Sequence, residues 1–279
     1  MNTMTSTDEW HSAIASTCRL PADAARQLHD FGFVVLPGPE IPGGNHAVCA
    51  AYDRAVATAD PANVYTGRTG SSTRVDNFLN YGVEFGGLCV YPPLLAACCQ
   101  VIGGPFKLSG MRARTLHAGA EGERLHVDVK QRAAGWPLLG CIWMIDAFDA
   151  QNGATRFVPA SHLRAYGPDE AADSRVDHDR QVLACGPAGS IIIFNASVWH
   201  GHGANRSATA RRSIQAHFVP RDVQSTPNPA ERMRPETLQR VGDLARYVIG
   251  VAAAQAGGSR DNIGSSDNNQ GVRRKPLTR

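Results

Sequence analysis

The sequence predicts an α+β fold in which a β-rich core is flanked by helices. Three observations support this prediction. Helix-like segments come first, short β-rich runs separated by turn residues fill residues 105–220, and a further amphipathic segment follows at 235–255. Several short strands at this spacing are typical of an antiparallel sandwich or barrel. We therefore expect a single domain over residues 1–256, with its β core at about 105–220.

The N-terminal elements follow from helix and turn signals. Residues 21–31 carry proline in the first turn and end at Gly32, which predicts a helix, and 33–38 predicts a short buried strand closed by Pro-Gly. Helical spacing of apolar residues predicts two more helices, at 44–59 and 92–102. The polar stretch 60–87 between them lacks clear periodicity, and a stretch of that length inside a domain is usually functional or mobile.

The remaining elements are the β core, one helix and a tail. A closing amphipathic helix is expected at 235–255, and a disordered basic tail at 257–279, where Gly, Ser, Asn, Asp and Arg dominate. The predicted strands are 108–117, 124–129, 138–145, 155–159, 181–184, 190–199 and 211–219.

Charge and composition narrow the possible functions. The chain has 279 residues and a net charge of +3, and the tail alone carries this excess because it has five basic and two acidic residues. A neutral body argues against a nucleic-acid surface, although the tail could touch phosphate or anionic lipid. No apolar run reaches the roughly 18 residues of a membrane span, and the first residues do not form a secretory signal. Seven scattered cysteines without a CxxC pair indicate reduced thiols, so we expect a cytoplasmic protein.

Three side chains could bind a metal ion. His126 and Asp128 are two residues apart, so in a strand both would point to the same face. His200 follows the buried run 190–199 and could be the third ligand. Two His and one Asp form the facial triad of non-haem Fe(II) oxygenases, whereas structural zinc needs four ligands. The His-x-Asp pair alone is a weak signal, and its alternative is a surface His near a surface Asp.

A possible anion anchor follows on the next strand. Arg211 and Ser213 alternate onto one face with Gln215 and His217. A buried guanidinium binds a carboxylate bidentately, and a hydroxyl beside it adds a hydrogen bond. This pair would suit the distal carboxylate of 2-oxoglutarate. A surface arginine is the alternative for Arg211 alone.

Taken together, these motifs resemble those of the phytanoyl-CoA dioxygenase-like family of Fe(II)/2-oxoglutarate-dependent oxygenases. The similar segments occur in matching order over roughly residues 20–220: 31–36, 125–128, 143–146, 152–162, 188–190, His200, Asn205 and Arg211. The resemblance implies a double-stranded β-helix core (a jelly roll, cupin-like), with flanking N-terminal and C-terminal helices. It also implies that His126, Asp128 and His200 bind Fe(II), and that Arg211 anchors 2-oxoglutarate, with O2 as the oxidant.

Further roles come from the same resemblance. Trp143 falls where relatives line the cosubstrate pocket, with an ordinary core aromatic as the alternative, and Thr115 could add a hydrogen bond to the cosubstrate. His202 stands where relatives commonly carry a small hydroxyl residue. It could contact cosubstrate, substrate or solvent, and it competes with His200 as a ligand, although spacing to Asn205 and Arg211 favours His200. Halogenating relatives replace the acidic ligand with a small residue, so Asp128 argues against halogenation.

The resemblance implies an oxidation, with hydroxylation of a C–H bond as the default and desaturation, epoxidation or cyclisation as variants. We expect a small metabolite or natural-product intermediate as substrate, no nucleic acid or membrane partner, and a monomer or homodimer. Arginines and aromatics near the mouth would suit a polar or anionic molecule with an apolar body. The candidate substrate residues are Arg74, Asn77, Phe78, Lys130, Trp136 and His202.

Three other functions remain open. A non-catalytic β-barrel binding protein could keep the fold without the chemistry. A cupin-type metalloenzyme could use the same ligands without 2-oxoglutarate. A serine hydrolase is disfavoured because no Gly-x-Ser-x-Gly motif is present. His117, His162, His178 and His217 are not assigned to the site.

Overall fold

The computed structural model describes residues 6–67, 70–131, 135–168, 178–224 and 228–251. The tail predicted at 257–279 lies outside these ranges. The α-helices are α1 (Thr7–Thr17), α2 (Ala22–Phe31), α3 (Gly44–Ala57), α4 (Pro92–Ile102), α5 (Pro229–Arg232), α6 (Pro235–Arg240) and α7 (Asp243–Ile249). The strands are β1 (Phe33–Pro37), β2 (Val64–Thr66), β3 (Ser72–Val75), β4 (Phe106–Leu116), β5 (Leu139–Met144), β6 (Thr155–Phe157), β7 (Val182–Ala184), β8 (Ser190–Asn195), β9 (His200–His202) and β10 (Arg211–Pro220).

Local sequence explains where the first helices begin and end. Ser6 and Glu9 form a reciprocal capping box that begins α1. Helix α2 ends at Gly32, whose φ of 86° is readily adopted by glycine. These signals fix the helices that precede the β core.

The strands form two antiparallel sheets. The larger has the order β1-β8-β5-β10-β4-β3-β2, and the smaller has the order β7-β6-β9. Strand β10 pairs with β4 along one edge and β5 along the other. The described strands therefore form a jelly roll of two sheets and do not close into a barrel.

The two faces of the larger sheet pack against different parts of the protein. One face packs against α3, α4 and α7 and contributes to the main hydrophobic core, which includes Ile214 and Trp143. The other face shares a second core cluster with the small sheet, in which Ile142 and Phe194 meet Phe157. Alternation along each strand decides which residues reach the space between the sheets.

Several element predictions need correction. The polar stretch 60–87 contains β2 and β3, and helix α1 was not predicted. Residues 124–129 form no strand, only an isolated bridge at His126. The run 190–199 ends as a strand at Asn195, and 235–255 contains two short helices rather than one.

Across the described ranges, no single helix is long and apolar enough to cross a membrane. The bent helix pair Val83–Val90 and Pro92–Ile102 has the length and the apolar composition of a membrane span, and nothing more supports that reading.

Candidate metal centre

Three side chains converge between the two sheets. His126 and His200 exchange both backbone hydrogen bonds, at 2.9 and 3.0 Å, which brings their ring centroids to 4.5 Å. The backbone N–H of Asp128 donates to Ala196 O, which places its carboxylate on the same side. One ligand atom from each of the three residues lies within 4.8 Å of the others. This spacing can accommodate one metal ion.

The two imidazoles are oriented by the backbone. His126 Nδ1 lies 3.0 Å from Arg124 O, and His200 Nδ1 lies 2.9 Å from Val198 O. Because a carbonyl only accepts, each Nδ1 carries the proton and each Nε2 lone pair is left free. Both Nε2 atoms face the Asp128 carboxylate. His126 Nε2 lies 3.8 Å from Asp128 Oδ1, and His200 Nε2 lies 3.6 Å from Asp128 Oδ2. Burial also lowers the pKa of His200 and favours the neutral form that binds metals.

A third histidine, His217, supports the carboxylate. His217 Nε2 lies 3.5 Å from Asp128 Oδ2. Burial would raise the pKa of Asp128, but the His217 hydrogen bond and the nearby His200 lower it well below its usual value. Asp128 is therefore an anion at neutral pH.

Two glycines allow this close packing. A Cβ at Gly201 would lie 2.9 Å from Arg124 O, so β9 can approach the 123–126 segment only without a side chain there. A Cβ at Gly140 would lie 2.2 Å from the Phe194 ring, which packs 4.8 Å from the His200 ring. Gly140 thus makes room for the aromatic wall behind the second imidazole.

Arg211 begins β10 and points to the same side. It is 2% exposed, and its guanidinium carbon lies 3.9 Å from the centroid of the Phe148 ring. Within the described part of the chain, its Nε and Nη1 have no hydrogen-bond partner. Burial and the neighbouring Arg114 lower the pKa of Arg211 to about 9, so it stays charged at neutral pH. A buried, charged donor pair of this kind favours an anionic ligand.

The turn before β10 fixes the position of Arg211. Asn205 Nδ2 lies 3.3 Å from Leu116 O and 2.9 Å from Thr209 O, which ties the turn to the end of β4. On the opposite face, Arg212 forms hydrogen bonds with both Asp146 and Asp53. Arg211 therefore faces the cavity and Arg212 the helix-covered side, because successive side chains alternate across the sheet.

Ser213 lies on the face of Arg211, as the sequence predicted. It is completely buried, and its hydroxyl donates to Arg114 O at 3.2 Å. The serine hydroxyl is therefore held by the β4 backbone, two residues along β10 from Arg211.

His126, Asp128, His200 and Arg211 line one cavity of about 240 Å³, which we call the metal cavity. An outer cleft of about 620 Å³ shares four lining residues with it: Arg74, Arg114, Glu123 and His202. The metal cavity thus continues outward through these shared residues.

His202 stands at this junction and is not part of the three-residue cluster. It is buried, and its Nε2 lies 3.7 Å from Glu123 Oε2. Burial and the nearby Arg114 lower its pKa to about 4, so it is neutral at pH 7. This location favours contact with a small molecule over ligation of the metal.

Two residues predicted at the cosubstrate pocket lie elsewhere. Thr115 pairs with Arg212 in the sheet register, and its hydroxyl lies 3.0 Å from Tyr52 Oη on the helix-covered face. Trp143 pairs with Ile214 and belongs to the main core on that same face. Both predictions placed these side chains on the wrong side of the sheet.

Four predicted substrate residues also lie away from the cavity. Phe78 is fully buried in the main core, and Asn77 donates to Asn63 Oδ1. Trp136 packs against His162, with 5.6 Å between ring centroids. Lys130 lines a separate cleft of about 450 Å³. Of the mouth residues predicted, Arg74 and His202 reach the metal cavity.

Sequence reasoning missed several lining residues: Arg112, Arg114, Glu123, Gln215 and His217. A signal existed for two of them, because Gln215 and His217 share the strand parity of Arg211. Glu123 and Arg114 gave no such signal, since their place depends on pairing with distant strands.

The comparison with known families agrees with this geometry. The profile of the family described as Phytanoyl-CoA dioxygenase (PhyH) matches residues 28–213, which is more than half of the chain. The chain belongs to the phytanoyl-CoA dioxygenase family. The matched range contains His126, Asp128, His200 and Arg211.

Individual relatives are similar over part of their length. Dioxygenase trt7 of Aspergillus terreus is 31% identical over 144 residues, which is 48% of each chain. The chain spans about half the length of the curated relatives that it matches.

Solved structures share the fold. The α-ketoglutarate-dependent epimerase SnoN from nogalamycin biosynthesis aligns with a TM-score of 0.59 at 18% identity, covering 71% of this chain and 82% of SnoN. HygX from Streptomyces hygroscopicus, solved with nickel and 2-oxoglutarate, gives 0.59 at 13% identity and covers 74% of this chain and 90% of HygX. These likenesses confirm the predicted jelly-roll class of fold.

Proposed function

We propose that this protein is an Fe(II)/2-oxoglutarate-dependent dioxygenase that oxidises a C–H position of a small metabolite or natural-product intermediate. The observation that carries the proposal is the convergence of three ligand atoms within 4.8 Å beside a buried arginine without a described hydrogen-bond partner. The family match and the dioxygenase name of the trt7 relative support it. SnoN has been solved with Fe3+ and α-ketoglutarate, which supports the same cosubstrate here.

The donor set fits iron. His126 and His200 would each offer a neutral Nε2, and Asp128 would offer an anionic oxygen. Two imidazoles and one carboxylate leave coordination positions free for cosubstrate and oxygen. The backbone carbonyls that accept from each Nδ1 would hold the rings in place as the ion binds.

The cavity also fits 2-oxoglutarate. Arg211 would pair with the distal carboxylate through the nitrogen atoms that lack described partners, and the neighbouring Ser213 hydroxyl could turn toward the same group. When bound, Fe(II) and 2-oxoglutarate supply, together with O2, the oxidising power for C–H oxidation, with loss of CO2 and formation of succinate.

The chain's own residues bind and orient the reactants. Phe148 covers the guanidinium of Arg211, and Phe194 packs against His200, so apolar rings exclude water from both anchors. The choice among hydroxylation, desaturation, epoxidation and cyclisation would depend on how the substrate is positioned relative to the metal ligands. Hydroxylation is the default outcome.

Anaerobic reconstitution with Fe(II) and 2-oxoglutarate tests the proposal. We expect the charge-transfer absorbance of a metal-bound 2-oxo acid, and its loss in Asp128→Asn but not in Asp53→Asn, which changes an acid on the opposite face. Oxygen should then yield succinate that depends on one member of a metabolite panel.

Two results would point to other functions. No metal-dependent absorbance in the wild type would favour a non-catalytic binding protein. Turnover that survives Arg211→Leu would favour a metalloenzyme that does not use 2-oxoglutarate.

A further inference from the structure

Two arginines face each other where the metal cavity meets the outer cleft. Arg74 on β3 and Arg114 on β4 are direct partners in the antiparallel register. Like charges at directly opposed positions destabilise a sheet. Both side chains line the metal cavity and the outer cleft, so the two positive charges lie at the same junction.

Burial increases the cost of this arrangement. Arg114 is 8% exposed, and Arg74 is partly buried. The Nε atoms of both are shielded from solvent and have no hydrogen-bond partner among the residues that the structure describes. A shielded guanidinium donor of this kind is costly until an acceptor reaches it.

The nearby acids do not neutralise both arginines. Glu123 Oε2 lies 3.5 Å from Arg114 Nη1 and is also close to His202. Asp76 lies 3.9 Å from Arg112, a third arginine of the cavity. Glu121 lines only the outer cleft and is exposed.

The cavity as a whole has an excess of positive charge. Its lining contains four arginines (Arg74, Arg112, Arg114 and Arg211) and two carboxylates (Glu123 and Asp128). The charges of Fe(II) and 2-oxoglutarate cancel, so the loaded cavity would keep the same excess.

We propose that Arg74 and Arg114 together bind an anionic group of the primary substrate, a carboxylate or a phosphate, at the junction of the two cavities. This inference rests on the proposed function. An anion anchored there would place an adjoining carbon skeleton in the inner cavity, beside the metal ligands, or in the outer cleft of about 620 Å³. That volume lies within the range of about 300–1,000 Å³ that is usual for small-molecule sites.

Calorimetry with simple anions tests the proposal. The protein, loaded anaerobically with Fe(II) and 2-oxoglutarate, is titrated with benzoate, phenyl phosphate and neutral benzyl alcohol. We expect at least one anion to bind and the alcohol to bind more weakly, and the tighter anion distinguishes carboxylate from phosphate. Arg74→Gln should weaken anion binding about tenfold or more, since a charge-assisted pair is lost.

The matched control is Arg112→Gln, on the same face of β4 as Arg114 but beside Asp76. It should change anion affinity much less than Arg74→Gln. Neither variant should change the affinity for 2-oxoglutarate. If Arg74→Gln does not fold, Arg74→Lys, which keeps the charge but loses the planar fork, gives the same test with a smaller loss.

Three results would overturn the proposal: no anion binding, anion binding that Arg74→Gln does not weaken, or a loss of 2-oxoglutarate affinity in Arg74→Gln that assigns the arginine to the cosubstrate. Repeating the titration without metal and cosubstrate separates the two proposals. Anion binding at Arg74 in a protein that never binds 2-oxoglutarate would keep the anion site and refute the proposed function.

Discussion

Replacing Arg211 by methionine should have opposite effects on the free protein and on the cosubstrate complex. Two buried nitrogen atoms of Arg211 have no hydrogen-bond partner among the described residues. Each buried nitrogen atom without a partner destabilises the fold by about 1–3 kcal/mol, while the cation–π contact with Phe148 stabilises it by about 2 kcal/mol. Arg211→Met should therefore stabilise the ligand-free protein by about 2 kcal/mol, or raise its Tm by about 4–8 °C at this size.

The same change should abolish stabilisation by 2-oxoglutarate. At one hundred times its Kd, a ligand stabilises a protein by about 2.7 kcal/mol, which corresponds to about 5–10 °C here. Loss of one partner of a buried charge pair costs about 3–5 kcal/mol, so at the same concentration the variant should gain about 0.3 kcal/mol or less. Thermal denaturation with and without 2-oxoglutarate, in the presence of a divalent metal, measures both effects.

Arg212→Met is the matched control because it alters the next residue on the opposite face. It removes hydrogen bonds to Asp146 and Asp53, so the free protein should lose about 1–3 kcal/mol. Its shift with 2-oxoglutarate should remain that of the wild type. The reasoning about Arg211 is refuted if Arg211→Met destabilises the free protein and still responds fully to 2-oxoglutarate.

Three further predictions concern the surroundings of the metal ligands. His217→Ala should weaken metal binding by about 10–100-fold, since outer partners orient ligating groups; a competition titration with a chelating dye measures this, and an unchanged Kd contradicts it. Gly140→Ala should destabilise the fold by about 1–3 kcal/mol because its Cβ would meet Phe194, whereas Gly110→Ala, with nothing within 4 Å, should cost less in urea denaturation. Burial would raise the pKa of Glu123, but the neighbouring Arg114 lowers it, so its ionisation stabilises the fold above about pH 4.3. The stability difference between wild type and Glu123→Gln should therefore shrink as the pH falls below that value, and a constant difference would contradict this.

Strand alternation alone assigns Arg211 and Ser213 to one face, and in β10 both side chains are buried at alternate positions. The faces of Thr115 and Trp143 were predicted wrongly because they depend on pairing with β10, which the sequence does not reveal. A register shift of one residue moves a side chain to the other face.

Long-range contacts account for what remained hidden. Glu123 reaches the site because the chain before His126 runs beside β9, and Arg114 because β4 pairs with β10. Phe78 stands in a polar stretch that suggested a position at the cavity mouth, but its ring centroid lies 4.5 Å from that of Phe85 in the core. Local spacing identifies which residues can perform chemistry, whereas tertiary packing decides which of them meet.

The central place of β10 in the larger sheet bears on protein engineering. Its backbone is hydrogen-bonded along both edges, so side chains on its inner face can be exchanged while neighbouring strands hold the chain in register. Gln215, which lines the metal cavity between Ser213 and His217, could then be varied to reshape the cavity wall. Substitutions at Ile214 or Ala216 would instead alter the helix-covered core and act on thermal tolerance. The strand therefore separates positions suited to changing selectivity from those suited to changing robustness.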